Sequence, residues 1–148
     1  MNGHPYLRAY MAGIVVPTLL LLVAMTVFVV ARLVYQIPVP IERLIVFPMA
    51  LVPNLFGAWN MLYVWLGPRR RLPLGFHGAL LPFVVAPLGI TIVRSLGFLV
   101  VTSAGWVLFD AVTISHSLAA TFVPLIVVVY YLVWKHLVGY FNRVMEIA

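Results

Sequence analysis

Three carboxylates, four histidines and no cysteine bound the chemistry open to this chain. Without cysteine there is no disulfide, thiolate zinc site, iron–sulfur cluster or cysteine-borne lipid anchor. Histidine is the strongest ligand type left. His77 opens one long apolar run and His136 closes another. Two histidines at matching depth on neighbouring helices could hold one haem. His4 falls on the same side, so His4, His77 and His136 could also gather around a metal. No carboxylate joins them, however. Glu42 and Asp110 fall on the opposite side and Glu146 in the tail. An imidazole at a membrane interface needs no cofactor, and the expectation is a chain without haem or metal. Ser115-His116-Ser117 sets serine beside histidine, but neighbours on a helix point in different directions. No GxSxG or HExxH pattern occurs.

A second group of polar residues lies within apolar runs. Pro53-Asn54-Leu55-Phe56-Gly57-Ala58-Trp59-Asn60 carries two amides and a glycine. Asn54 and Gly57 share a helical face, while Asn60 is turned about 240° from Asn54. Gly57 permits close helix approach and asparagine can hydrogen-bond across a helix interface. A packing seam is the preferred reading, with a polar substrate or ion site as the other. Arg94 is the one charge inside an apolar run. It can snorkel to the interface or pair with Asp110 or Glu42. No carboxylate falls in such a run, which argues against a proton pump.

The elements that must carry these residues follow from composition. The chain has 148 residues, 65% hydrophobic and 8% charged, with mean hydropathy +1.15. Average soluble domains are about 45–50% apolar and about 25% charged. A soluble fold of this size cannot hide so much apolar surface. A helix needs about 20 apolar residues to cross a core of about 30 Å. Four stretches qualify: 13–34, 44–66, 78–100 and 118–138. The predicted fold is therefore an all-α integral membrane protein, one domain with four transmembrane helices in a small bundle. The first run is too long for the h-region of a signal peptide, about 7–15 residues, and reads as a retained span. Prolines stand in every span: Pro17, Pro48, Pro53, Pro82, Pro87 and Pro124. Each removes a backbone donor and kinks its helix. Between 106 and 117, Asp110, Thr113 and Ser117 share one helical face. That segment reads as a short amphipathic interfacial helix or as a plain loop.

Orientation follows from cations. Four spans place both termini and the Arg69, Arg70, Arg71 loop on one side, together with Arg8, Lys135 and Arg143. That side holds six cations and the other holds Arg32 and Arg43. Lysine and arginine collect in the cytoplasm, so both termini are predicted cytoplasmic, in a bacterial-type plasma membrane. Tyr6, Tyr10, Tyr63, Trp65, Trp134 and Tyr140 fall near that same interface, as aromatic anchors do. The net charge of +6 is accounted for by this asymmetry rather than by nucleic acid. The functional expectation is a non-catalytic accessory or structural subunit. It would assemble through its helix faces, as a homo-oligomer or in a larger membrane complex. The alternatives are a small homo-oligomeric transporter or channel, lined by Asn54, Asn60 and Arg94, and a haem-binding electron carrier on His77 and His136.

Overall fold

Proline and glycine decide where the helices begin, break and stop. A computed structural model describes residues 4–38, 40–44, 50–67 and 72–147, without the side chains at 43 and 44. Pro48 and the Arg69, Arg70, Arg71 loop of the sequence reading lie outside the described residues. The chain is mostly helical (73%). Helix α1 (Pro5–Leu33) starts on a proline, whose missing N–H costs nothing in a first turn. After a short α2 (Ile41–Leu44), α3 (Val52–Leu66) runs back along α1. Helices α4 (Leu74–Ala79) and α5 (Pro82–Ser95) are two parts of one broken span. At the break, Leu81 N–H bonds to Gly78 O at 3.1 Å and Phe83 N–H to Leu80 O at 3.2 Å, both tighter than α-helical pairing. Pro82 is the cause, since it cannot donate to Gly78 O and restricts the residue before it.

The last helix is continuous over His116–Val144. It comprises α6 (His116–Leu132), a π-helical turn (Val133–Val138) and α7 (Gly139–Val144). Ser115 caps it, its hydroxyl accepting from Leu118 N–H at 3.3 Å. Among the described residues, three helical stretches are long and apolar enough to cross a membrane: Pro5–Leu33, Leu74–Ser95 and His116–Val144. Of the expected second span, 44–66, an α-helix is described over Val52–Leu66, and 45–49 fall outside the described residues.

Two expectations need correction. The third span does not reach residue 100. Gly97, at φ +77°, ends it in a Schellman arrangement, with Gly97 N–H on Arg94 O at 2.9 Å and Phe98 N–H on Val93 O at 3.0 Å. The segment 106–117 is not an amphipathic helix, and the fold is not wholly α. Strands β1 (Leu99–Val101), β2 (Trp106–Leu108) and β3 (Val112–Ile114) form an antiparallel meander. The strands are rich in β-branched residues, and the turns between them hold Ser103, Gly105 and Asp110. Short β-branched runs cut by turn residues outweigh the one helical stripe of Asp110, Thr113 and Ser117.

Burial is uneven. The core gathers Val16, Phe56, Leu81, Trp134 and Val138 toward the end of the bundle where Arg8 meets Met145. At the other end α6 has no buried residue.

Candidate functional site

The packed end is built from small residues on one helix and large ones on its neighbour. A Cβ on Gly13 would lie 2.9 Å from Gly57 Cα, so α1 and α3 cross backbone to backbone. Gly57 also lies under the Tyr10 ring and Ile14. On α4, Gly75 and Gly78 share a face and receive Tyr131 and Trp134, likewise three residues apart. A Cβ on Gly78 would overlap the Trp134 indole at Cγ. Without water between helices, such close packing and interhelical hydrogen bonds supply the association energy.

The hydrogen bonds converge on Asn60, which is fully buried. Its amide nitrogen donates to Ala9 O at 2.8 Å and to Asn142 Oδ1 at 2.7 Å. Asn142 returns a bond to Asn60 Oδ1 at 3.2 Å. One side-chain pair thus ties α1, α3 and α7 together. Beside it, Arg8 Nη1 donates to Met145 O at 3.1 Å and lies 3.7 Å from the Glu146 carboxylate. Both ends of the described chain therefore lie at one end of the molecule.

A second constellation surrounds His77, 4% exposed on α4. Trp59 Nε1 donates to His77 O at 2.9 Å, and His77 Nε2 lies 3.0 Å from Trp59 O. A carbonyl only accepts, so Nε2 carries the proton. The imidazole stacks on Trp59 at 5.0 Å and meets Tyr63 at 5.3 Å and the edge of Trp134 at 6.0 Å. The ring also borders a cavity of about 130 Å³.

The residues singled out by sequence are distributed as follows. Asn60 and Gly57 both belong to the packed end. Asn54 is exposed, accepting from the Tyr10 hydroxyl and donating to Ala50 O, so it does not join Asn60. His77 and His136 are not brought together. Trp134 faces His77, and His136, two residues further on and exposed, points to roughly the opposite side of its helix. Among the described residues there is no group of three or more histidine and acidic side chains fit to hold a metal. Arg94 is exposed in the last turn of α5. Glu42 is not its partner, because that carboxylate accepts from Arg32 at 2.6 Å. No ion pair joins Arg94 to Asp110 among the described residues. The Arg32 hydrogen bond holds the Glu42 carboxyl below its ordinary value.

Sequence reasoning passed over Asn142, the Ala9 carbonyl, Trp59, and the Gly75 and Gly78 pair. The glycines did carry a signal, a three-residue spacing matched by Tyr131 and Trp134. Asn142 carried none, because its partner is remote in sequence.

These spans and their polar heart mark a small helical membrane protein. No family model, curated protein or solved structure is significantly similar to this chain.

Proposed function

We propose that the chain is a non-catalytic subunit of the plasma membrane, one packed end holding it together and its far helix faces joining other subunits. The observation that carries this reading is α6. All of its residues are half-exposed or fully exposed, and Leu118, Phe122, Val123, Leu125 and Val128 are among its large apolar side chains facing outward. The break before Pro82 separates α5 from α6, leaving an apolar cleft of about 530 Å³ bordered by Ala86, Ile90, Val123 and Ile126. In lipid such a face needs no cover, so what favours a partner is the cleft, a concavity edged by Ala86, Ala119 and Ala120 into which a helix of another subunit can pack closely.

The reading includes four crossings with both termini cytoplasmic. Two contacts support the second crossing. Glu42 meets α1 at Arg32, and Asn60 meets it at Ala9. Between those points lies about 35 Å of α1 at 1.5 Å per residue, enough to cover a core of about 30 Å. The contact between Arg8 and Met145 supports the same answer. A chain whose ends share one side crosses an even number of times, and three long spans then require a fourth. The cation asymmetry assigns that side to the cytoplasm.

The test is the chain's mass after gentle solubilisation from its native membrane. A subunit runs in an assembly well above its own 16.5 kDa. A homogeneous monomer under those conditions overturns the reading. The break at Leu80 and Leu81 is the feature that favours the transporter or channel alternative, since broken helices line pathways in transporters. A purely homo-oligomeric assembly that conducts ions or solutes in vesicles would establish that alternative instead.

A further inference from the structure

We propose that the cavity beside His77 binds one hydroxylated aromatic ring, whose hydroxyl donates to His77 Nδ1. The proposal starts from the tautomer. Because Trp59 O accepts from Nε2, Nδ1 is left as a lone-pair acceptor. It has no partner among the described residues. Nor is it sealed off: the sealed, unpaired side-chain atoms among those residues are Arg8 Nε and Trp134 Nε1. An unpaired acceptor on a ring only 4% exposed therefore reaches open space, and the cavity that His77 lines provides that space.

The walls select the occupant. Trp59, Tyr63 and four leucines complete the lining. Water in such a site needs about two to four polar partners, and with Trp59 Nε1 committed to His77 O the side chains offer it Nδ1 and the Tyr63 hydroxyl, the lower limit. An apolar cavity of about 150 Å³ is known to stay dry and take a benzene ring, and this one, about 130 Å³, is of that order. An ammonium group would have to shed its water among leucines at heavy cost. A hydroxyl is neutral and supplies the one donor that Nδ1 lacks. Aromatic walls favour a ring over an alkyl chain through edge and offset contacts. The site is independent of the assembly reading and adds to it a ligand that could tune packing at this end.

The experiment uses the full chain in lipid nanodiscs with ¹⁵N-labelled histidine, read at the His77 ring nitrogens. In the resting protein the proton is expected on Nε2. Titration with p-cresol is expected to shift Nδ1 saturably, with toluene at least tenfold weaker. Leu62→Phe fills the cavity without touching the exchange between His77 and Trp59, and is expected to abolish the shift. A long-chain alkylphenol confined to the bilayer separates the sources. A response to it assigns the ligand to the membrane, and a response to p-cresol alone assigns it to solution. Either response keeps the site. The proposal is overturned by a proton on Nδ1 at rest, by equal binding of toluene, by no response to either phenol, or by a shift that survives Leu62→Phe.

Discussion

The two ends of this molecule solve the problem of helix association in opposite ways. At the end where Arg8 meets Met145, Gly13 lies against Gly57, Trp134 lies on Gly78, and Asn60 bonds to both Ala9 and Asn142. At the far end α5 and α6 diverge around an apolar cleft, and their join is a small β-meander. The composition of each end explains the difference. Lipid tails are as apolar as leucine, so leucine and valine faces gain little by meeting each other. Glycine and asparagine gain much, by close backbone approach and by satisfying buried polar groups. The glycines that receive a neighbouring helix and the buried amide pair lie at one end, and cohesion is concentrated with them.

The largest expected effect comes from filling the closest glycine contact. Gly78→Ala should destabilise the fold by about 1–3 kcal/mol or more, because the added Cβ must displace a fully buried indole. Leu125→Ala, at an outward position on α6, should change stability by no more than about 0.5 kcal/mol. Unfolding of the two variants in mixed micelles compares the ends directly. Equal losses would remove the contrast.

Next comes the amide pair. Asn60→Leu should cost about 1–3 kcal/mol, chiefly by stranding the buried Asn142 amide, the Ala9 carbonyl keeping its bond within α1. Asn142→Leu added to it should cost little more, since the two amides share one set of bonds. Strict additivity in the double-mutant cycle would mean that the pair does not act as a unit.

The spans were legible because long uncharged runs leave few alternatives, and three of them are helices of membrane-crossing length. Gly57 and Asn60 stood out as a gap and an amide among bulky apolar neighbours. What they touch did not, because Ala9 and Asn142 come from helices distant in sequence. The end of α5 was misread for a local reason. Leu96-Gly97 holds a helix stop, but the apolar residues after it continue the hydropathy as though the span went on. The meander was hidden because its three-residue strands are apolar at nearly every position and show no alternation, so the stripe of Asp110, Thr113 and Ser117 was the period that stood out. His77 was noticed for its chemistry and given the wrong companion. Its stacking on Trp59 follows from helix packing that spacing alone does not reveal.

The smallest expected effect is at the far end of α1, where Arg32 bonds to exposed Glu42. Glu42 has a folded-state value below its unfolded one. Its contribution is therefore full above the ordinary glutamate value, about 4.3, and is lost as pH falls through the depressed value. Followed by NMR, the Glu42 carboxyl should titrate below that ordinary value, and Arg32→Gln should raise it toward that value, the backbone hydrogen bond at Glu42 remaining. An identical midpoint in both proteins would show that the pair does not form in solution.

The central claim is that one end is sealed within the chain while the other faces its neighbours. Because the chain has no cysteine, single cysteines report on it cleanly in native membranes. Cysteine in place of Ile126, beside the cleft, is expected to cross-link to another polypeptide, whereas cysteine in place of Val138, fully buried at the packed end, is expected to give none. Cross-linking at position 138 with none at 126 would contradict the account.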